Sequence, residues 1–177
     1  MKNKYNIALI PMHTSNLIIT LSNKLSHIAD QYILGENSLP HVTLCQFIAS
    51  EDALADIWDK VCDSLQHKII DLVFMDISCI TLNNIIHWIS LLPNNNDKLS
   101  VMNVLVADII KNPVSKSYKE YVPHMTLVNT KNKDYEKFAG ELSKSYEPIA
   151  DTFILSLGKS DEIGQYTKMI YQYAAKA

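Results

Sequence analysis

The chain contains no arginine; its 16 basic residues are all lysines. A planar, bidentate fork for phosphate is therefore missing. Any anion must be held by lysine, histidine, hydroxyls or backbone N–H groups. Charge of either sign is modest, with 19 acidic residues and a formal net charge of −3. That balance excludes a strongly basic coat for nonspecific nucleic-acid binding. It leaves room for an enzyme that grips one phosphate in a local pocket. Cysteine is scarce: Cys45, Cys62 and Cys79 are an odd number, far apart, with no CxxC pair. A disulfide framework and a zinc knuckle are both excluded. Glycine is scarce too, at four residues. No G-x-G-x-x-G or G-x-x-x-x-G-K-[ST] loop exists to cradle a nucleotide pyrophosphate. No stretch approaches the roughly 18 apolar residues a membrane span needs, and the apolar run near the start is too short for a secretory signal. The expectation is a cytoplasmic protein of a reducing compartment with no membrane partner.

What remains is an ordinary globular balance of 177 residues, 47% apolar and 20% charged. That length suffices for one domain with a sizeable core, or for two small lobes sharing an interface. Strand signals run over residues 5–10, ending at Pro11, and over 41–48, 69–82, 85–92, 121–128 and 151–157. Residues 166–173 pair with the last of these as a hairpin around 158–164. Helical periodicity opens after Ser15, with Leu17, Leu21, Leu25 and Ile28 on one face, and ends near Gly35. It returns over 51–65, 99–110 (closed by Asn112-Pro113) and 134–142. The order strand, helix, strand, helix, strand thus occurs twice, over about 1–82 and 83–177, as expected of an internal duplication in a single domain of two lobes. Ile7 precedes His41 by 34 residues and Ile86 precedes His124 by 38, a similar rhythm. Two repeats of mixed order predict an α+β protein rather than a doubly wound parallel sheet.

One pentapeptide appears twice, as Pro40-His41-Val42-Thr43-Leu44 and Pro123-His124-Met125-Thr126-Leu127, with the histidines 83 positions apart. At the residue frequencies of this chain, a second match to Pro-His-apolar-Thr-Leu arises by chance in roughly one such chain in two thousand. A single His-x-Thr would be a partly buried strand histidine; the pair defines a site. On a strand, His and Thr at i and i+2 share one face, and Val42 with Leu44, or Met125 with Leu127, take the other. Histidine titrates near neutrality, so one neutral and one protonated imidazole can coexist at pH 7 as base and acid. The threonine hydroxyls would donate to the non-bridging oxygens of a phosphate held between them. No metal and no cofactor is required.

These paired His-x-Thr strands resemble the 2H phosphoesterase superfamily, including the LigT-like RNA 2′,3′-cyclic phosphodiesterases, also called 2′-5′ RNA ligases. The resemblance spans the chain as two repeats, although only the pentapeptides are specific. It implies a bilobal fold of two pseudo-symmetric antiparallel sheets, helices outside and a cleft between. His41 and His124 would be catalytic, and Thr43 and Thr126 would bind the phosphate. The implied activity is hydrolysis of a 2′,3′-cyclic phosphate, or a related cyclic or 2′-5′ phosphodiester, on an RNA end or a small nucleotide, by a monomer. Phe47 suits the aromatic usual in that family. Asn129 stands where many relatives are basic, and together with the missing arginines this favours a small nucleotide or short RNA end. A binding module without turnover, RNA ligation and 2′-5′ oligoadenylate cleavage are the alternatives.

Other residues carry less. Trp88 and Tyr121 are candidates to stack a base, against a core role for Trp88. His87 shares the same opening strand. His13, His27 and His67 read as surface residues, and Lys119 and Lys131 as flanking lysines able to attract phosphate. Alternation places Cys45 on the Thr43 face, where it reads as packing rather than as a nucleophile.

Overall fold

The computed structural model describes residues 2–35, 37–82, 85–94, 96–110, 113–114 and 121–174, without the side chains of Leu82 and Asn96. The candidate Lys119, and Asn112 of the helix stop, lie outside the described residues. The elements are β1 (Lys2–Pro11), α1 (Ser15–Asn23), β2 (Val42–Ser50), α2 (Leu54–Ser64), β3 (Ile69–Leu82) and β4 (Ile86–Pro93). They continue with α3 (Asn96–Ile109), β5 (Met125–Thr130), α4 (Tyr135–Ser143), β6 (Ile149–Ser160) and β7 (Tyr166–Gln172).

The α+β architecture is as expected, and the two antiparallel sheets are joined into one of seven strands, ordered β2-β1-β6-β3-β4-β5 with β7 also on β6. β6 is the join. One edge of it pairs with β1 over residues 153–159. Its other edge is divided between β3, over 149–154, and β7, over 156–160.

Alternation sends Tyr5, Ile7 and Leu9 of β1, Ile89 and Leu91 of β4, and Phe153, Leu155 and Leu157 of β6 into one core with Ile18, Leu21, Leu99, Met102 and Val106 of the helices. Each such side chain fully buried contributes about 1.5–3 kcal/mol. The alternate positions, among them Asn6, Ala8, Ser90 and Ser156, form the opposite, helix-free face. They are buried as well.

α1 packs on β5 and α3 on β2, so the first helix of each half of the chain covers the motif strand of the other half. Residues that follow each helix extend the exchange. Leu34 N–H donates to Leu127 O at 3.1 Å, and Ile33 bridges Val128, along the outer edge of β5. Val114 N–H donates to Gln46 O at 2.8 Å, and Pro113 bridges Phe47, along the outer edge of β2.

That pairing also explains why the first helix is shorter than its periodicity predicts. Residues 30–34 leave helical geometry because Asn129 and Leu127 take their backbone groups. α1 ends at Asn23, a 3-10 turn follows over Ser26–Ile28, and Ile18 rather than Leu17 faces the core. The start of α1 has no side-chain cap of its own. Asp151 of β6 does that work from outside, accepting from His13 N, Thr14 N and Thr14 Oγ1 at 2.7–2.9 Å. Burial alone would raise the Asp151 pKa, but these bonds outweigh it and hold the carboxyl below its usual range.

Candidate active site

His41 stands one residue before β2, and His124 one residue before β5. Each pentapeptide therefore begins ahead of its strand, where a proline that cannot join the ladder is tolerated. Proline also biases the residue before it toward extended backbone. The carbonyl two residues before each histidine is used identically: Nδ1 lies 2.7 Å from Leu39 O in one case and 2.7 Å from Val122 O in the other. A carbonyl can only accept, so Nδ1 carries the hydrogen and Nε2 is the atom left to exchange a proton.

The two imidazoles are within electrostatic reach of each other. Burial, and then the charge His124 would carry, push the His41 pKa down to about 4, while the Leu39 carbonyl opposes this. Burial also lowers His124, opposed by Val122 O. Both shifts favour the neutral rings in the free protein. The tilted ring of Tyr166 lies 5.3 Å from that of His41. Gly158 makes room for it, since a Cβ at that position would fall 2.5 Å from Tyr166 Cζ.

Both motif strands bulge at the same residue. Ile7 pairs with Cys45 and Ala8 with Thr43, so Leu44 is the extra residue of β2. Ile89 pairs with Val128 and Ser90 with Thr126, so Leu127 is the extra residue of β5. The extra residue shifts the phase of everything that follows. Cys45 consequently moves off the Thr43 face into the core with Phe47 and Ala49, and burial pushes its thiol up to about 12. It packs, as its chemistry suggested, but on the other face. Counted from the bulges, Ile89 holds the position in β4 that Ile7 holds in β1, and the two precede their histidines by 35 and 34 residues.

A bulge removes a carbonyl from its ladder, and both carbonyls are recovered from the exchanged helices. Asn103 of α3 donates from Nδ2 to Leu44 O at 2.6 Å. Ser22 of α1 donates from Oγ to Leu127 O at 2.7 Å. Tyr121, ahead of the second motif, crosses to the first and donates its hydroxyl to Thr43 O at 2.7 Å. That bond ties the two motifs together and commits the hydroxyl of one stacking candidate.

The other candidate, Trp88, is partly buried with its ring edge-on to Tyr32 at 5.5 Å. His87 turns to the other face and stacks on Tyr135 at 3.6 Å. His27 packs on Phe138, and Phe47 lies in the core against Tyr5. Lys131 is exposed, and Asn129 binds the backbone of Gln31 and Tyr32. Tyr166, Gly158, Ser22 and Asn103 left no signal in the sequence. Asn6 did: it is an amide inside the apolar run of residues 5–10, and its Nδ2 donates to Thr43 Oγ1 at 2.9 Å.

No family model and no curated protein matches the chain. Solved structures do. Escherichia coli LigT complexed with NADP+ aligns with a TM-score of 0.60 over 98% of both chains, at 12% identity. Kluyveromyces marxianus Usb1 aligns at 0.57 over 94% of this chain and 95% of its own, at 11% identity. A structure described as a phosphoesterase aligns at 0.59 over the full length of both, at 10% identity. The chain has the LigT-like 2H phosphoesterase fold.

Proposed function

We propose that the chain is a metal-independent phosphoesterase. It would hydrolyse a 2′,3′-cyclic phosphate, or a related cyclic or 2′-5′ phosphodiester, at an RNA end or on a small nucleotide. One observation carries this reading: two histidines, each with Nδ1 committed to a backbone carbonyl and each followed by a threonine, lie within electrostatic reach of one another. The neutral ring takes the proton of the attacking water at Nε2, and the protonated ring gives one to the leaving ribose oxygen. Thr43 and Thr126 donate to the non-bridging oxygens as their charge grows. The fold neighbours support a nucleotide ligand, since E. coli LigT was solved with 3′-AMP and K. marxianus Usb1 with uridine monophosphate. The lack of arginine favours a small or short substrate.

The test is turnover of the four 2′,3′-cyclic nucleotides and a short RNA with a cyclic end, with the product isomer identified. His41→Ala and His124→Ala should each reduce kcat by about 10²–10⁴-fold, with Thr→Ala milder, and activity should persist in EDTA. Full turnover in both histidine variants, or its loss on chelation, would overturn the reading. One rival is a site that binds a nucleotide or RNA end without turning it over; the intact His and Thr pairs speak against it, since binding alone needs no matched acid and base. Tight binding with no turnover across the panel would establish that rival. RNA ligation on the same residues would appear as joined product.

We also infer that the chain arose by internal duplication, with repeats at about 1–82 and 83–177. Exchanging β1 with β4, β2 with β5 and β3 with β6 maps the strand order onto itself, and the bulges at Leu44 and Leu127 coincide under that exchange.

A further inference from the structure

We propose that Asn6 is a positioning residue: it sets the Thr43 hydroxyl as a donor toward the substrate phosphate and makes the two halves of the site unequal. The inference rests on the phosphate-binding site proposed above.

The register places Asn6 two residues from Ala8, the partner of Thr43, on the helix-free face of β1. It is fully buried, in a strand whose neighbouring inward positions are Tyr5 and Ile7. A hydroxyl has one hydrogen and two lone pairs. Asn6 Nδ2 occupies one lone pair of Thr43 Oγ1 at 2.9 Å, so the hydroxyl hydrogen is directed away from Asn6. Thr43 is only partly buried, and the exposed direction is the one a phosphate oxygen would take.

The amide is costly where it stands. Its Oδ1 is buried without a partner among the described residues, and desolvating an unpaired carbonyl opposes folding. Valine or isoleucine would fill a strand position at no such cost. The bond to Thr43 is what the amide adds.

The other lobe lacks this device. Trp88 and Ser90 stand where Asn6 and Ala8 stand in the first. Among the described residues, the Trp88 indole N–H and the Ser90 hydroxyl are both buried without a partner, so neither holds Thr126. Two threonines that look equivalent in the sequence are therefore supported differently.

The substitutions Asn6→Leu and Asn6→Asp separate the roles. Leucine removes the donor; a carboxylate, which only accepts when ionised, draws the Thr43 hydrogen inward. Turnover of a 2′,3′-cyclic nucleotide and binding of adenosine 2′-monophosphate are measured for wild type, both variants, Thr43→Val, and each Asn6 variant combined with Thr43→Val. Thermal unfolding is followed in parallel.

Asn6→Asp is expected to lower kcat at least tenfold with a smaller change in KM, and to weaken nucleotide binding. Asn6→Leu should do less. In the Thr43→Val background, either change should alter kcat and binding by less than twofold. Equal losses with and without the Thr43 hydroxyl, or loss of activity that tracks thermal unfolding alone, would show a merely structural amide and overturn the proposal. So would single variants within twofold of wild type. If wild type binds the nucleotide but turns over no cyclic phosphate, the hydrolytic reading fails while the binding comparison still decides the role of Asn6. A wild type that neither binds nor turns over overturns both.

Discussion

A histidine whose Nδ1 hydrogen is spent on a backbone carbonyl has one nitrogen left for chemistry, and the pKa of that nitrogen decides when it works. Burial pushes His41 down to about 4 and lowers His124 from 6.5. Hydrolysis needs one ring neutral and the other protonated. In the free protein that condition is met between the two macroscopic pKa values of the pair, both below 6.5. Since kcat/KM reports the free enzyme, it should rise through about pH 4, peak on the acid side of neutrality and fall before pH 7. A bound phosphate anion favours the charged ring, so the kcat profile should lie at higher pH than that of kcat/KM. A kcat/KM plateau extending above pH 7.5 would contradict the burial argument. At this scale the four residues proposed for the site stand out in the sequence because each copy of the pentapeptide points to the other. Tyr166 and Gly158 do not, because they reach His41 through a hairpin more than 100 residues away in sequence.

Elements were legible where periodicity ran unbroken, as in β1, α2 and α4. They were misread where another segment competed for the backbone. The first helix stops early because β5 takes the hydrogen bonds of residues 30–34. The bulges at Leu44 and Leu127 were invisible because alternation assumes a regular ladder, and a bulge is known only from its partner strand. These bulges are nevertheless what aims the motifs, which makes the donors that hold them testable. Asn103→Leu and Ser22→Ala each leave a buried bulge carbonyl short of a partner, although Leu127 O keeps Leu34 N–H. Each should destabilise the protein by about 1–3 kcal/mol, with Asn103→Leu the larger, measured by urea unfolding. Each should also lower kcat, although neither residue belongs to the His-x-Thr motifs. Unchanged unfolding midpoints in both variants would show that the bulges hold themselves.

For the whole molecule, periodicity does not reveal which half of the chain an element packs against. Here the exchange is extensive. β3, the last strand of the first repeat, pairs only with β4 and β6 of the second among the described strands. β1 loses one of its two neighbours without β6. β2 loses α3, and with it the Asn103 bond to the Leu44 bulge. A fragment of residues 1–82 would thus expose one edge of β1 and both edges of β3, with the apolar faces of β1, β2 and β3 only partly covered. Unpaired edges and uncovered apolar faces of that extent do not sustain a fold of this size. The separate fragments 1–82 and 83–177 should therefore each give poorly dispersed amide spectra. Mixed before refolding, they should recover the spectrum of the intact chain, because the covalent link between Leu82 and Ile86 only joins β3 to β4 in a hairpin that can form across two chains. Activity in the mixture, absent from either half, would follow because each His-x-Thr then regains the helix that covers its strand. A dispersed spectrum from residues 1–82 alone would mean that a lobe can form from one repeat, and that the exchange of helices is dispensable for folding.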